Sequence, residues 1–421
     1  MIKIIAVSLL TFCASNLKAS TWSDPLNAVN NQTQKFKSPA TDSLKLDSLI
    51  QKLSFNYDTK NFSGTGWDKL SAEVAKSHFV LVGEDHGFAE IPVFTAHLAQ
   101  ILKPAALVAE IDPYTALELK KVSIEPAKYS SYFKQYPYAL SFFSYETEME
   151  LARQMQLSHI DIWGLNEINF LSIDRFFITL SEHAKSPANK KLALSKASSY
   201  TKHDQPIFQD AKRYSELSAY KLQAATVDSI LHEFRNEDDF CKKMLNNLKL
   251  SIAIFPNTKP LLRTGLMKKN LLNYLAPNLQ QDEPDLPKLL FKFGANHVAK
   301  TSDVTNMNEA GNLADNLAEA VNKKTLHILI TCKKGTVNQM APVDNTKAII
   351  AYDIDKSELA GFKQFADKVK DDEWAVFDLR PIRRALKTGK LHTENTVLKN
   401  FVLGFDVLVI SGKATGSRFI E

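Results

Sequence analysis

Short apolar runs recur along this chain between segments of helical periodicity, and this alternation constrains the fold more than any other feature. Eight runs are rich in Val, Ile and Leu without strict polar–apolar alternation, as expected for strands buried on both faces. They are His78–Gly83, Ala105–Ile111, His159–Leu165, Leu289–Gly294, Leu326–Thr331, Ala348–Tyr352, Ala375–Leu379 and Asp406–Ile410. Strands that alternate with helices predict an α/β fold with a mostly parallel central sheet flanked by helices.

The segment from about residue 174 to residue 278 departs from this alternation. It contains no convincing strand and several long amphipathic patterns, such as SELSAYKLQAATVDSILHEFR. We therefore expect a helical insertion between two strands, a place where pockets for small molecules are often built. The α/β domain is expected over residues 67–421, after a polar leader over residues 20–66 that includes a short helix near Asp42–Leu53.

Residues 1–19 have the pattern of a secretory signal peptide. Lys3 is followed by the apolar run IIAVSLLTFCA and then by small and polar residues up to Ala19. Phe12 is too bulky for the small residue expected before a lipidated Cys13, so lipoprotein anchoring is not expected. No other apolar run approaches the roughly 20 residues that a membrane span requires. The sequence predicts a secreted or periplasmic protein.

Composition excludes several classes of function. The net charge of +5, which becomes +3 without Lys3 and Lys18, and the absence of a Lys/Arg block give no reason to expect nucleic acid as a partner. Gly is scarce, and neither a Gly-rich phosphate loop nor a GxSxG elbow occurs. Cys241 and Cys332 form either one disulfide or two buried thiols. We expect a small-molecule substrate, and the sequence leaves the oligomeric state open.

The segment HFVLVGEDHGFAE carries the densest group of chemically useful side chains. Its apolar run ends at Gly83, and ligands of open α/β sheets bind at the carboxyl ends of strands. Glu84 and His86 are two residues apart, so they face the same side of an extended chain. A carboxylate beside an imidazole can orient a general base or hold a metal.

Carboxylates also end the second and third predicted strands. Glu110 closes the run LVAEID, where a carboxylate among apolar residues needs a partner such as His86 or Arg263. Glu167 follows the third strand in the same way. An exposed strand end is the alternative explanation for each.

Two further segments would bring polar groups to the same edge. Arg263, Met267 and Asn270 lie at i, i+4 and i+7, on one face of a helix, which indicates a buried anchor or an anion contact for Arg263. An ordinary amphipathic helix with Arg at its rim is the alternative. A strand ends at Gly294, and His297 follows in the turn.

These elements, in this order, resemble the erythromycin esterase family and, more broadly, its superfamily with the ChaN-type haem-uptake lipoproteins. The family pattern has Gly-Glu, His-Gly and a downstream Glu, then a strand ending in Glu, an Arg-x-x-x-Met-x-x-Asn helix and a turn with Gly, Asn and His. The matching positions are Gly83, Glu84, His86, Gly87, Glu90, Glu110, Arg263, Met267, Asn270, Gly294, Asn296 and His297. The resemblance runs from about Trp67 to Ser417.

Two positions depart from the esterase pattern. Esterase members usually place two residues between the first Glu and the His, whereas Asp85 alone separates Glu84 from His86, as in the ChaN-type pattern. The helix also continues Arg263-Thr264 instead of Arg-Asp or Arg-Glu.

The resemblance implies hydrolysis of an ester or lactone without a metal or other cofactor. His86 would be the general base on a water molecule, with Glu84 and Glu110 orienting and tuning it. His297 and Arg263 would bind the substrate and the developing oxyanion. The remaining candidates for substrate binding are Asn270, Asn296 and Glu90.

Two alternatives use the same site. The carboxylates and imidazoles of Glu84, His86, Glu110 and His297 form a reasonable set for zinc or manganese, as in a metallohydrolase resembling TraB/GumN-type proteins. The other alternative is a non-enzymatic binding protein for haem or another small ligand, of the ChaN type. The aromatic-rich stretch Tyr129–Tyr145 would then line an apolar ligand site, although such a stretch is also typical of helix packing.

Overall fold

A computed structural model describes residues 46–208, 210–256, 259–281, 285–302, 306–339 and 348–421. The predicted signal peptide and most of the predicted leader lie outside these residues. The described chain forms a ten-stranded sheet in the order β2-β1-β9-β10-β7-β3-β6-β4-β5, with β8 paired to β7. The strands are β1 (Lys52–Tyr57), β2 (Phe62–Ser63), β3 (Phe79–Glu84), β4 (Ala106–Ala109), β5 (Asp161–Gly164), β6 (Leu289–Gly294), β7 (Thr325–Asn338), β8 (Ile349–Asp353), β9 (Trp374–Asp378) and β10 (Val407–Ala414).

Fifteen α-helices are described around this sheet. They are α1 (Thr65–Lys76), α2 (Glu90–Leu102), α3 (Pro113–Ser123), α4 (Tyr129–Gln135), α5 (Glu146–Leu157), α6 (Ile173–His183), α7 (Pro187–Asp204), α8 (Ser218–Lys221), α9 (Ala224–Glu233), α10 (Asp239–Ile254), α11 (Pro260–Leu279), α12 (Ala310–Ala320), α13 (Lys363–Ala366), α14 (Arg380–Lys387) and α15 (Thr396–Gly404). No helix among the described residues combines the length and apolar character needed to cross a membrane.

The centre of the sheet is parallel. Strands β10, β7, β3, β6, β4 and β5 pair in parallel, whereas β9 is antiparallel to both β10 and β1. Successive residues of β3 enter opposite layers, because Val80 and Val82 pack in one apolar core and Phe79 and Leu81 pack in the other. The prediction of an α/β fold with a mostly parallel sheet is confirmed, and each of the eight predicted runs overlaps a strand.

The beginning of the described chain differs from the predicted leader. Only residues 46–49 form a helical turn there, and β1 (Lys52–Tyr57) pairs antiparallel with β9 inside the range predicted to be a polar leader. Phe55 is buried and its ring lies 5.8 Å from that of Trp374, while Asn56 faces solvent. A strand that buries only one face has polar residues at alternate positions. Its composition therefore resembles that of a polar leader, which is why the sequence predicted one there.

The residues of the predicted insertion form helices α6 to α11, and no strand occurs among the described residues between β5 and β6. Helices α6 to α10 share an apolar cluster with Tyr138, Tyr145 and Phe419, which lie outside the inserted segment, whereas α11 packs in a core of the sheet through Met267 and Leu271. Cys241 packs in this cluster and Cys332 packs in a core of the sheet. Both are buried free thiols, which decides between the two alternatives left by the sequence.

Gly83 allows the end of β3 to pass close to its neighbours. A Cβ at this position would lie 2.7 Å from the ring of buried Phe405 and 3.0 Å from Cα of Ala295. We expect Gly83→Ala to lower the free energy of unfolding by about 1–3 kcal/mol, because the ring must shift in a packed core. Urea unfolding measures this change.

Gly265 provides the matched control for that substitution. It lies in α11, where an added Cβ meets no atom within 4 Å. Gly265→Ala should leave stability unchanged or raise it by up to about 1 kcal/mol, because Ala favours the helix. Equal losses in both variants would contradict the close approach at Gly83.

Candidate active site at the carboxyl edge of the sheet

The parallel register brings the ends of three strands together. Strand β3 pairs with β6 so that Glu84 is opposite Gly294, and β4 pairs with the other side of β6. Glu110 follows the end of β4, and its Oε2 accepts a hydrogen bond from the backbone N–H of Gly294 at 2.8 Å. Side chains that are far apart in sequence therefore meet at one edge of the sheet.

His86 lies between two buried carboxylates. Its Nδ1 is 2.8 Å from Oε1 of Glu84, and its Nε2 is 3.5 Å from Oε2 of Glu110. The ring stacks on Phe142 with the centroids 4.4 Å apart. A Cβ at Gly294 would lie 2.9 Å from Nε2, so glycine leaves the room that the imidazole needs. Asp85 instead accepts a hydrogen bond from the Tyr352 hydroxyl at 3.2 Å.

The two carboxylates hold His86 in its protonated form. Burial alone would lower the pKa of His86, but the carboxylates of Glu110 at 3.5 Å and of Glu84 at 2.8 Å raise it to about 10. Burial would raise the pKa of Glu84, yet Lys292 and His86 lower it overall. At neutral pH His86 is therefore an imidazolium that lies between the carboxylates of Glu84 and Glu110, and the ring of Phe142 faces this cation.

Arg263 joins the second half of the site. Its Nη2 donates to Oε1 of Glu110 at 2.8 Å, and its Nε lies 3.0 and 3.1 Å from the two oxygens of Glu167. Its Nη1 is 2.8 Å from Nε2 of His297, and Nδ1 of His297 is 3.4 Å from Oε2 of Glu309. Since a guanidinium only donates, Nε2 of His297 is the acceptor and Nδ1 carries the proton.

Glu110 is the carboxylate that the two halves share. Burial would raise its pKa, but His297, His86 and Arg263 together bring it well below its ordinary value. The partner that the sequence required for Glu110 is present twice, since both His86 and Arg263 contact it. Glu110 is thus an ionised group that accepts hydrogen bonds from Arg263 and from the backbone N–H of Gly294, and it is a weak base in this resting arrangement.

Three of the sequence-derived candidates lie outside this cluster. Asn270 is buried in α11 and donates to the backbone carbonyl of Leu165 at 2.8 Å, so it anchors the end of β5. Asn296 is exposed in the turn after β6. Glu90 accepts a hydrogen bond from the backbone N–H of Thr415 at 3.1 Å, which ties α2 to the loop after β10.

The cluster contains charged residues that sequence reasoning missed. Nζ of Lys292 is 2.7 Å from Oε1 of Glu84 and 2.5 Å from Oε1 of Glu148. Glu309 accepts from the Thr264 hydroxyl at 2.5 Å. A lysine inside the apolar run LLFKFG was a signal for Lys292, because a buried ammonium requires carboxylate partners. Glu148 and Glu309 lie on segments with no comparable signal.

A cavity of about 80 Å³ adjoins the cluster. Its lining includes the acidic and basic residues Glu110, Asp112, Glu167 and Arg263. Its apolar wall is formed by Ile111, Tyr138, Phe142, Tyr145, Ile168, Phe170, Leu171 and Phe419. His86 does not line the cavity itself, but its ring lies against two residues that do, Phe142 and Glu110. Within the aromatic stretch Tyr129–Tyr145, Tyr138, Phe142 and Tyr145 line this cavity, whereas Phe133 packs in the core of the sheet.

The donor atoms do not fit a metal ion in this arrangement. Among the described residues, no group of three or more His, Cys, Asp or Glu side chains converges as metal ligands. Lys292 and Arg263 already supply positive charge to Glu84 and Glu110, at the positions where a cation would be needed. The structure thus gives no support to the metallohydrolase alternative.

Removal of Arg263 should be costly because it leaves two buried carboxylates without their cation. We expect Arg263→Met to lower the free energy of unfolding by about 3–5 kcal/mol at pH 7. The pKa of Glu110 would then rise, so the deficit should shrink as the pH falls towards 5 and the carboxyl group takes up a proton. Urea unfolding at several pH values measures both effects.

Arg153 is the control for this prediction, since it pairs with Glu150 at the surface of α5. Arg153→Met should cost less than about 1 kcal/mol at every pH, as exposed ion pairs do. A loss for Arg263→Met as small as that of Arg153→Met would show that Arg263 does not balance buried charge.

Comparisons with known proteins support the fold. No family model and no curated protein matches the chain. Among solved structures, a protein from Bacillus cereus is 17% identical with a TM-score of 0.54, covering 90% of this chain and 99% of its own. A succinoglycan biosynthesis protein is 14% identical with a TM-score of 0.50, covering 90% and 98%.

A third solved structure, the haem-binding ChaN of Campylobacter jejuni, is 12% identical, covers 71% of this chain and 97% of its own, and has a TM-score of 0.28. A TM-score this low does not show a shared fold. The comparisons do not show membership of the erythromycin esterase family, so that resemblance rests on the sequence motifs. What the first two structures show is that this chain shares their α/β fold over nine-tenths of its length.

Proposed function

We propose that this protein is an exported hydrolase that cleaves an ester or lactone of an uncharged small molecule, with His86 as the residue that moves the proton. The observation that carries the proposal is the chain Glu84–His86–Glu110–Arg263 beside an apolar cavity. An imidazole oriented by a carboxylate and a fixed guanidinium are the groups that acyl hydrolysis requires. The sequence motifs of the erythromycin esterase type favour the same reaction.

The geometry fits a general-base step on water. Glu84 holds Nδ1 of His86, while the 3.5 Å separation between Nε2 and Glu110 exceeds a normal hydrogen bond, so water can compete for Nε2. Neutral His86 would accept a proton from water as the water oxygen attacks the carbonyl carbon. The imidazolium then returns this proton to the leaving oxygen. Arg263 at the cavity wall stabilises the negative charge on the carbonyl oxygen.

The charge of the site favours an uncharged substrate. Each buried cation already has two carboxylate partners: Glu110 and Glu167 for Arg263, and Glu84 and Glu148 for Lys292. No cation of this cluster is left over to pair with an anionic ligand. The cavity of about 80 Å³ is also well below the roughly 300–1,000 Å³ of pockets for drug-sized ligands. Both observations favour a small apolar acyl group over haem, whose carboxylates need cations.

Hydrolysis should depend on His86 and on the charge of the substrate. In a panel of p-nitrophenyl esters and simple lactones, we expect the protein to hydrolyse neutral short-chain members. It should hydrolyse a succinyl ester at least about tenfold more slowly, because the carboxylate of that ester is repelled by the carboxylates of the site. His86→Gln should lower kcat/KM by about 10²–10⁴-fold, the usual contribution of a general base. His232→Gln, at an exposed position, is the control. Equal turnover by the His86 variant and the wild type would refute the mechanism.

The pH dependence distinguishes the two possible roles of His86. With a pKa of about 10, only about one molecule in a thousand carries neutral His86 at pH 7. If His86 is the base, kcat/KM should rise about tenfold per pH unit and level off near pH 10. If the imidazolium is instead the acid, the rate should be flat and then fall above pH 10. A pH profile on a substrate whose spontaneous hydrolysis is subtracted decides between them.

A further inference from the structure

A buried ammonium group lies on the far side of Glu84 from His86. Lys292 projects from β6 and is 5% exposed, and Glu148 on α5 is also 5% exposed. Their Nζ and Oε1 atoms are 2.5 Å apart, and the second oxygen of Glu148 is buried with no hydrogen-bond partner. Neither residue lines the cavity beside Arg263.

Stability does not explain a lysine at this position. The neighbouring residues of β6, Leu290, Phe291 and Phe293, are fully buried and apolar. Replacing a buried ion pair by well-packed apolar side chains is often neutral or stabilising, because the charges lose their hydration on burial. Apolar residues in place of both Lys292 and Glu148 would thus be tolerated at least as well, so the contribution of this pair has to be sought in what it contacts.

The contact that matters is a single shared atom. Oε1 of Glu84 accepts from Nδ1 of His86 at 2.8 Å and from Nζ of Lys292 at 2.7 Å. Two donors on one oxygen compete for its negative charge, so Lys292 weakens the attraction of Glu84 for the proton of His86. Glu148 attracts Lys292 in turn and limits this effect. The three groups form a line of alternating charge that ends at His86.

We propose that Lys292 and Glu148 are positioning residues that set the proton affinity of His86 through the shared carboxylate of Glu84. Lys292 lowers this affinity and Glu148 raises it. The role of this arrangement in catalysis rests on the proposed function, in which His86 transfers the proton. Its effect on the pKa of His86 is independent of that function, because it concerns only the binding of a proton to His86.

The other charged groups around His86 do not duplicate this arrangement. The carboxylate of Glu110 faces Nε2 of the imidazole. The carboxyl group of Asp85 accepts a hydrogen bond from Tyr352 and makes none with the imidazole. On α5 and the residue before it, Glu148 and the Tyr145 hydroxyl are the titratable groups near the lysine. Burial raises the pKa of Glu148 to about 7. Its charge, and hence its pull on Lys292, therefore changes near neutral pH.

The test is a titration of the His86 imidazole by NMR in protein labelled at histidine, with the signal assigned by its loss in His86→Gln. Glu148→Gln keeps the shape of the side chain and removes its charge, and we expect the pKa of His86 to fall by about one unit. Lys292→Met removes the competing cation, and we expect the pKa to rise by more than about one unit, because Lys292 contacts Glu84 directly whereas Glu148 contacts Lys292. pKa shifts of opposite sign in the two variants are specific to this charge relay, by which we mean the effect of Glu148 and Lys292 on His86 through Glu84. Loosened packing would shift the pKa in the same direction in both variants.

A double variant covers the case in which Lys292→Met alone fails to fold. Lys292→Met combined with Glu148→Leu replaces the pair by apolar side chains, so no charge is left unpaired, and the pKa of His86 should still exceed that of the wild type. Lys249→Met, which breaks a surface pair with Asp228, should cause no shift. An unchanged pKa in Glu148→Gln, or shifts of the same sign in Glu148→Gln and in the double variant, would overturn the proposal.

The titration does not depend on turnover, so its result is separate from that of the ester panel. If hydrolysis is also observed, the midpoint of the pH profile should move with the pKa of His86 in each variant. If no ester or lactone is cleaved but the opposite shifts are present, the relay stands and the proposed function fails. If hydrolysis is present without the shifts, the relay fails and the function stands.

Discussion

Five glutamates are buried at the carboxyl edge of the sheet, and the site depends on the two cations that balance four of them. Arg263 bridges Glu110 and Glu167, and Lys292 bridges Glu84 and Glu148. Without these contacts each carboxylate would lose its hydration with no compensation and would take up a proton. The ionised state of the carboxylates in turn keeps His86 protonated at rest. Charge balance therefore decides what this edge of the sheet can do.

The fold supplies the proximity that this balance requires. Adjacent parallel strands β3, β6 and β4 place Glu84, Lys292 and Glu110 within one hydrogen-bonded group, and α11 brings Arg263 from the other side. The segment between β5 and α6 closes the apolar side of the cavity with Ile168, Phe170 and Leu171, and the inserted helices contribute Arg263 to its lining. Strands carry Glu84 and Lys292, and β4 ends beside Glu110, whereas helices carry Glu148 and Arg263.

Sequence reasoning reached part of the site. The apolar runs identified the strands, and carboxylates and histidines at their ends indicated Glu84, His86, Glu110 and His297, which the structure places together. It did not distinguish Asn270, which bonds the backbone of Leu165, from a residue that faces the cavity. Periodicity shows the buried face of a helix but not which neighbour that face meets.

The amino-acid sequence by itself determined the α/β architecture, because strands buried on both faces and amphipathic helices have recognisable local patterns. It also determined which strand ends carry ionisable groups. Only the tertiary structure decided how those groups pair: Lys292 lies 144 residues from Glu148, and Arg263 lies 153 residues from Glu110. A pKa depends on charges within a few ångströms in space, whatever their separation along the chain. The protonation of His86 is thus a property of the folded molecule.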